Sequence, residues 1–333
     1  MWKHYIIGFL ISLGAVWLFL HYVDLGQMGQ ALARMHLIYL LPSAALYILH
    51  YAMRALRWQY LMRPVARVPF RPLFAAILIG FLGNNLLPAH LGELVRAYVL
   101  GRSQGVSKSA TFATIVLERV YDGLTVLFLL LVVFVFMDLP QGEVSGSFIT
   151  TEHLRSAGWL GLAFFAGLMV LLQAFRWQKE RALKVCRFCL KPLPRRAAHS
   201  LLEILDAFAE GLSLSKASDL LFIALYSLGV WLCLGLWAWS LFPAFDLHLG
   251  IMAGVLMEVV VALALLIPSA PAFLGTFHLA AVATLAFMGA PAGVAGSYAM
   301  ALWLIHFVIT NIIGLYYMWR LGLKWSVLAG KGE

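Results

Sequence analysis

The sequence is poor in charge. Only 12% of its 333 residues are Asp, Glu, Lys or Arg, whereas water-soluble chains carry about 25%. Hydrophobic residues make up 63%, and the mean hydropathy is +0.90. These values exclude a soluble domain of appreciable size. Apolar runs of about 20 residues, long enough to cross a bilayer as helices, recur along the chain and predict an all-α polytopic membrane protein.

Cysteines and familiar catalytic motifs are also scarce. Three cysteines give no disulfide framework, and Cys186 and Cys189 have no second Cys or His pair to complete a zinc site. The motifs GxxxxGK[ST], HExxH and GxSxG are absent, which leaves no sign of a P-loop ATPase, a zinc metalloprotease or a nucleophile-elbow hydrolase. We therefore predict no catalytic residue, no metal site, no cofactor and no enzymatic activity.

Nine apolar segments are candidate spans. The first has no A-x-A-like cleavage site after it, so we expect it to be retained rather than removed as a signal peptide. The segments are Tyr5–Val23, Leu37–Met53, Leu73–Leu87, Thr111–Met137, Ala157–Ala174, Asp219–Phe242, Leu249–Ile267, Ala272–Met288 and Gly296–Trp319.

The net charge of +9 is concentrated in a few short loops, as in membrane insertion rather than nucleic-acid binding. The segment Arg54–Arg71 holds five Arg and no acid, and Arg176–Lys216 holds nine Lys or Arg. Asp138–Arg155, by contrast, has three acids and one Arg. The positive-inside rule places the basic loops and both termini in the cytoplasm. Trp58 and Trp237 then fall at the two interfaces, as an aromatic belt would.

This orientation is inconsistent with a full crossing at Leu73–Leu87. One crossing there would place Arg54–Arg71 and the basic residues after Arg96 on opposite sides. The conflict disappears if the chain enters from the cytoplasm, turns at Pro88 and returns along Leu91–Leu100. We therefore predict a re-entrant helical hairpin.

The same reasoning applies near the C-terminus. Leu249–Ile267 and Ala272–Met288 must make an even number of passages, either as two full spans or as a second hairpin entered from outside. The Pro268, Pro271 and Gly275 cluster favours a break near membrane depth.

An internal repeat connects the two hairpins. The segments Pro88–Ala97 and Pro271–Ala280 share five of ten residues at an offset of 183. Each half then consists of two spans, a hairpin and a third span. Because three full crossings precede it, the second half starts on the opposite side of the membrane. We predict a single membrane domain over residues 1–333 with about six full spans, two re-entrant hairpins and an inverted-topology repeat. The halves are residues 1–138 and 156–320, the second carrying a cytoplasmic basic insert at 176–216.

Charged groups inside the membrane usually face a cavity or a partner, because each costs at least about 2.5–3.5 kcal/mol there. Glu93 and Arg96 lie three residues apart and are expected to pair, although Arg96 is equally explained as a snorkelling residue. Glu118, Arg119 and Asp122 form ERVYD, with the two acids on one helix face. Either a structural salt bridge or direct substrate contact explains this motif.

Other polar residues lie in apolar surroundings. Glu258 is in the middle of a span and is expected to face a cavity. His278 and His306 are either packed, hydrogen-bonded residues or part of a site. Asn84 and Asn85 are either turn residues or donors to a phosphate near the helix N-terminus that follows the turn. The basic insert is either a lipid-binding surface or a plain topology anchor.

Three segments resemble the signature regions of a flippase-like integral-membrane family. They read NNLLPAHLGELVRAYVL, LERVYDGL and IPSAPAFLGTFHLA. That family includes the transmembrane region of lysylphosphatidylglycerol synthase and the membrane region of an archaeal glycosyltransferase, and the resemblance implies lipid translocation. The matching positions are Asn85, Pro88, Gly92, Glu93 and Arg96, then Glu118, Arg119 and Asp122, then Pro271, Leu274 and Gly275.

The chain departs from the family pattern at four positions. His90 stands where a basic Arg is frequent. The third motif usually reads P-G-G-L-G-x-x-E, whereas Ala272 and Phe273 replace the two glycines and His278 replaces the acid. The soluble aminoacyl-transfer domain of the synthase is absent from this sequence, so the resemblance does not imply that activity.

These observations predict a flippase-like transporter that moves a polar-headgroup lipid, of phospholipid or isoprenoid or hopanoid type, across the bacterial inner membrane. The expected partners are anionic or zwitterionic membrane lipids, with no nucleic acid and with homo-oligomerisation left open. The alternatives are a lipid-modifying enzyme using Glu258 and a His, and a non-catalytic scaffold. The predicted substrate-binding residues are Asn84, Asn85, Pro88, His90, Gly92, Glu93, Arg96, Glu118, Arg119, Asp122, Glu258, Pro271, Gly275 and His278.

Overall fold

The protein is all-α, as predicted. The computed structural model describes residues 2–87, 91–139, 150–190, 217–267 and 269–323, together with positions 202 and 206, and these residues contain no strand. The helices of the first half are α1 Trp2–Tyr22, α2 Leu25–Ala33, α3 Leu40–Met62, α4 Phe70–Leu86, α5 Gly92–Gln104 and α6 Lys108–Phe136. Those that follow are α7 Thr151–Trp177, α8 Lys179–Cys189, α9 Ala217–Leu241, α10 Ile251–Ala264, α11 Thr276–Phe287 and α12 Ala292–Arg320.

Three apolar helical stretches in the described part are long enough to cross a bilayer. They are Lys108–Phe136, Ser218–Phe245 and Ala292–Arg320, of 28 or 29 residues each. Leu25–Ala33 and Leu37–Met62 meet at an 82° bend and count as a fourth when the two are taken together as one span. The chain is thus a multi-pass membrane protein, while the count of about six full spans stays a prediction.

The first predicted hairpin corresponds to α4 and α5, which pack directly against each other. Gly80 faces Arg96 while Gly83 faces Gly92, so the two helices run in opposite directions. With 17 residues, α4 is about 25 Å long, short of the roughly 30 Å hydrocarbon core. The predicted turn residues Pro88 and His90 lie outside the described residues.

The second predicted hairpin has a strained bend between α10 and α11. Ala272 and Phe273 both have a φ of +57°, and Gly275 has a φ of +86°. The left-handed region suits glycine but costs other residues roughly 1–2 kcal/mol. Ala272 and Phe273 stand where the resembling family usually has glycines. The carbonyl of Ala272 accepts a 2.9 Å hydrogen bond from the Trp303 indole, which helps to hold the bend.

Replacing Ala272 with glycine should therefore stabilise the protein by about 1 kcal/mol, because it removes most of the left-handed penalty. Thermal unfolding in detergent measures the change, with a higher melting temperature expected. Ala281→Gly is the matched control, since this alanine lies in the middle of α11 and its replacement should destabilise by about 1 kcal/mol. Equal destabilisation by both substitutions would contradict the bend geometry.

The helix bounds agree with the offset of 183. Shifted by that number, α5 falls on positions 275–287 and α6 on 291–319, close to α11 and α12. Contacts between the halves are also reciprocal, because α4 packs against α12 while α10 packs against α6. Reciprocal contacts are what a two-fold relation produces. These coincidences favour the repeat, while its division into residues 1–138 and 156–320 and its inverted orientation stay predictions.

One segment differs from the sequence-based interpretation in a way that defines the site. The second span was expected to end at Met53, with a basic loop beginning at Arg54, but α3 continues to Met62. Arg54 and Arg57 are therefore buried helix residues rather than loop residues. Trp58 and Trp237 are buried as well, so neither belongs to an interfacial belt. Each packs against a polar or charged partner from another element.

Candidate functional site

A buried polar stripe runs along one face of α3. It consists of Tyr47, His50, Tyr51, Arg54 and Arg57, all 5% exposed or less. Spacings of three and four residues place them on one side of the helix. From Tyr47 to Arg57 the stripe extends for about 15 Å at 1.5 Å per residue. This helix face is buried against other helices and carries polar groups where an ordinary span would carry apolar ones.

The arginines of this stripe bind the two acids of α6. Arg57 contacts Asp122 Oδ1 with Nη1 at 2.6 Å and Glu118 Oε1 with Nη2 at 2.9 Å. Arg54 Nη1 lies 3.3 Å from Glu118 and 3.4 Å from Asp122. Ser227 of α9 accepts a further 2.9 Å hydrogen bond from Arg57. Arg54 and Arg57 each contact both Glu118 and Asp122, so the two acids lie on one helix face, as expected.

Two more arginines complete the cluster. Arg96 Nη2 donates to Glu118 Oε2 at 2.7 Å, and its guanidinium lies 3.6 Å from the centre of the Trp58 ring. Arg119 contacts Glu118 at 3.1 Å, Asp122 at 3.4 Å and Glu93 at 3.3 Å. The predicted pairing of Glu93 with Arg96 is therefore wrong. Arg96 points inward to Glu118, whereas Glu93 pairs with Arg119 at the edge.

The charges of this cluster do not cancel. Four arginines meet three carboxylates, which leaves one positive charge in excess. The Nε atoms of Arg54, Arg57 and Arg96 are buried and make no hydrogen bond within the described residues. Buried ion pairs give weak net stabilisation because desolvation offsets the attraction. An excess cation with unused donors therefore suits the binding of an anion.

The cluster reaches the surface at Glu93 and Arg119, which we call the edge pair. Their side chains are 23% and 41% exposed, whereas those of Glu118 and Asp122 are at most 7% exposed. Next to the edge pair is a narrow cleft of about 10 Å³, roughly the space of a single water molecule. The cleft is lined by Ile77, Gly80, Phe81, Asn84, Gly92, Glu93, Arg96 and Arg119. In this conformation the site is closed.

The two asparagines have different roles. Asn84 Oδ1 accepts a 2.9 Å hydrogen bond from the Gly92 backbone amide, which ties the start of α5 to α4. Asn85 Oδ1 lies 3.3 Å from Nε2 of His306. The other ring nitrogen of His306 is hydrogen-bonded to the Tyr47 hydroxyl. Asn84 therefore closes the hairpin, and Asn85 joins it to the α3 stripe.

A hydrogen-bonded chain extends from Asn85 through the stripe. The Tyr47 hydroxyl lies 3.1 Å from the Tyr51 hydroxyl, which lies 2.8 Å from Thr310 Oγ1. Because Tyr51 precedes Arg54 by one helical turn, this chain ends beside the charged cluster. His306 therefore matches its interpretation as a packed, hydrogen-bonded residue.

The remaining predicted site residues lie elsewhere. Glu258 of α10 is buried, and its Oε1 has no hydrogen-bond partner in the described part of the chain. His278 packs between Phe19 and Trp303. A Cβ on Gly275 would meet the Ser12 carbonyl at 2.8 Å, so this glycine allows α1 to approach the bend that starts at Pro271. These residues belong to the second hairpin and not to the arginine cluster.

Sequence reasoning missed the α3 contribution. Arg54 and Arg57 were counted as topology determinants, and Tyr47, Tyr51 and Thr310 were not singled out. The signal was present in the spacing, since polar residues at 47, 50, 51, 54 and 57 recur with helical period. Continuing the helix past Met53 would have revealed the stripe.

The fold and the site define a polytopic α-helical membrane protein with a buried, arginine-rich cluster between helices. The chain belongs to the family of the lysylphosphatidylglycerol synthase TM region, whose model matches residues 5–314. This confirms the resemblance drawn from the three motifs. No solved structure matches the chain.

Three archaeal proteins are similar to the chain, which spans less than half the length of two of them. A UPF0104 membrane protein of Methanothermobacter thermautotrophicus is 30% identical over 153 residues, 45% of this chain and 41% of that protein. UPF0104 membrane protein MJ1078 of Methanocaldococcus jannaschii is 28% identical over 199 residues, 60% of this chain and 76% of that protein. Glycosyltransferase AglD of Haloferax volcanii is 29% identical over 120 residues, 36% of this chain but only 19% of that protein.

These comparisons correct one prediction. We expected no enzymatic activity, but one relative is named a glycosyltransferase and the family is named for a synthase region. Both names point to enzymatic activity, and the identity to the named glycosyltransferase is 29% over 120 residues. The absence of familiar soluble-enzyme motifs was a poor guide, because those motifs describe other enzyme classes.

Proposed function

We propose that this protein translocates a polar-headgroup lipid across the bacterial inner membrane, with both termini in the cytoplasm. The observation that carries the proposal is the buried cluster with an excess positive charge, which reaches the protein surface at the edge pair. Charged residues inside a membrane usually mark a substrate or ion pathway. The proposed partners are anionic or zwitterionic lipids, and homo-oligomerisation stays a prediction.

The edge pair suits a headgroup of mixed charge. Arg119 offers a guanidinium that binds phosphate oxygens, and Glu93 offers a carboxylate for an ammonium group. A zwitterionic headgroup would thus replace the internal ion pair by two equivalent contacts. Leu94 follows Glu93 on α5, Val116 lies three residues before Arg119 on α6, and their exposures are 53% and 37%. Such apolar surface leaves room for the lipid tail to stay in the bilayer.

Translocation requires the closed cleft to open. The hairpin arms meet at Gly80 and Gly92, so a headgroup reaches Arg96 only after α4 and α5 separate at their tip. Among the residues that the structure describes, two side-chain contacts hold this end of the hairpin: Asn84 to Gly92 and Asn85 to His306. We propose that headgroup binding at the edge pair competes for these polar groups and favours the open form.

Reconstitution in proteoliposomes with fluorescent lipids tests this proposal. We expect Arg119→Gln to lower the initial translocation rate about tenfold or more, because one charge-assisted hydrogen bond contributes about 1.5–3 kcal/mol. Glu93→Gln should slow a phosphatidylethanolamine probe but leave a phosphatidylglycerol probe nearly unaffected, since only the first carries an ammonium.

Arg102→Gln is the matched control, because Arg102 is exposed in the last turn of α5 and outside the cleft. Melting temperatures of all variants establish that equal amounts of folded protein are compared. Wild-type rates in both edge-pair variants would reject the edge pair as the headgroup site.

A lipid-modifying enzyme is the second candidate function. It is favoured by the name of one relative, a glycosyltransferase. Glu258 and His278 are the buried titratable side chains of the second hairpin left without an ion pair among the described residues. Mass spectrometry of lipids after incubation with the purified protein separates the candidates, because an enzyme changes the mass of the lipid and a transporter does not.

A further inference from the structure

An open cleft lies at the C-terminal end of α3, apart from the closed cleft at the edge pair. Its volume is about 660 Å³, within the roughly 300–1,000 Å³ range of small-molecule sites. The walls come from α3, the segment between α3 and α4, and the start of α9. The polar residues that line it include Tyr60, Arg63, Arg67, Asp219 and Tyr226.

The charges of this cleft leave one cation unused. Arg63 forms an ion pair with Asp219, which is largely buried. The Arg63 guanidinium also lies 3.9 Å from the centre of the Tyr60 ring. Arg67 is exposed and has no ion pair among the described residues. A bound anion would therefore contact the unpaired guanidinium of Arg67 and, near it, the guanidinium of Arg63.

The cleft continues into an exposed apolar surface on α9. Leu221 and Phe222 follow Asp219 within one helical turn and are 60% and 42% exposed. The Phe222 ring stacks on Tyr60 at 5.1 Å, so the apolar surface reaches the cleft wall. A ligand that is anionic at one end and apolar at the other fits this arrangement, whereas a free anion would leave the apolar surface uncovered.

We propose that this cleft binds the phosphodiester of a phospholipid, with Arg67 and Arg63 as its contacts and the acyl chains along Leu221 and Phe222. It is a second lipid site, separate from the edge pair. Its binding is measured without transport, so it stands or falls independently of translocation.

The cleft lies beside the buried cluster. Arg57 and Arg63 are six residues apart on α3, about 9 Å along the helix. Tyr226 lines the cleft, and the next residue, Ser227, accepts a hydrogen bond from Arg57. A phospholipid in the cleft would thus be held one to two helical turns from the charged cluster. Arg67 and Arg63 would then act as the first contacts of the headgroup.

Isothermal titration of the purified full chain in maltoside tests the proposal. The probe is dihexanoyl phosphatidylglycerol, and the two comparison ligands are dihexanoylglycerol and glycerol 3-phosphate. We expect saturable binding of the phospholipid and at least tenfold weaker binding of both others, because each lacks one of the two recognised parts. Equal binding of glycerol 3-phosphate would identify a site for free phosphate and overturn the lipid assignment.

Two substitutions with opposite expected effects sharpen the test. Arg67→Gln should weaken binding about fivefold, since one basic side chain near the surface contributes about 1 kcal/mol. Asp219→Asn should tighten binding severalfold, because it frees Arg63 from its ion pair. Arg71→Gln is the matched control and should bind as wild type, since Arg71 is exposed and lies outside the cleft.

A merely structural role for the Arg63–Asp219 pair would give the opposite sign. In that case Asp219→Asn would lower the melting temperature and weaken binding together. Such a result, or unchanged binding in Arg67→Gln, would overturn the proposal. Wild-type affinity is measured first, so absent phospholipid binding is a rejection in its own right.

Discussion

Glu118→Gln is expected to lower the free energy of unfolding by about 3–5 kcal/mol, because it breaks a buried ion network and leaves its cations uncompensated. Glu118 contacts Arg54, Arg57, Arg96 and Arg119, and its side chain is fully buried. With glutamine in its place, four arginines would face two carboxylates. The buried excess would then rise from one positive charge to two.

Thermal unfolding in detergent measures this effect. Glu93→Gln is the matched control, since Glu93 belongs to the same cluster but lies at its exposed edge. That substitution should change stability by about 1 kcal/mol or less. Equal losses in the two variants would show that Glu118 is not the centre of the network.

Gly92→Ala should be similarly severe, with an expected loss of about 3 kcal/mol from overpacking. A Cβ at this position would lie 1.9 Å from the Gly80 carbonyl oxygen and 2.5 Å from Asn84 Oδ1. Both are fixed groups of α4, so the hairpin arms would have to separate. The Asn84 bond to the Gly92 amide would be lost in the same movement.

Gly29→Ala is the control for this substitution, because a Cβ there meets nothing within 4 Å and Gly29 lies inside α2. It should stabilise the protein slightly through helix propensity. Melting temperatures of the two variants, compared in the same detergent, decide the matter. If Gly92→Ala has the same melting temperature as Gly29→Ala, then α4 and α5 do not pack as closely as described.

The helices were the most predictable part of this molecule. Apolar runs and charge bias gave segments close to α1, α6, α9 and α12, because a bilayer requires long apolar helices. The end of α3 was misjudged for the same reason. Arg54 and Arg57 stop the apolar run, so a hydropathy argument ends the span there. The helix nevertheless continues, because its arginines are neutralised by acids from α6.

The partners inside the site were less predictable. Spacing alone suggested Glu93 with Arg96, since local pairs are the ones a sequence displays. The observed pairs join residues far apart in the chain, such as Arg57 with Asp122. Which distant helices meet depends on packing, as at Gly80 and Gly92. Glu258 and His278 were grouped with the cluster by polarity, but packing places them in the second hairpin.

The buried cluster places seven charged residues between apolar helices, and their presence needs a physical reason. Replacing a buried ion network by well-packed apolar residues is often neutral or stabilising. Stability therefore gives little reason for seven charged residues between apolar helices. The proposed headgroup binding gives one, because guanidinium and carboxylate groups suit phosphate and ammonium.

The most direct test of this account is the initial rate of fluorescent phospholipid translocation in proteoliposomes containing Arg119→Gln, Arg102→Gln or wild-type protein at equal folded amounts. The account predicts that Arg119→Gln is about tenfold or more slower, while Arg102→Gln equals wild type. Equal rates for all three proteins would contradict the claim that the arginine cluster receives the lipid headgroup through its edge pair.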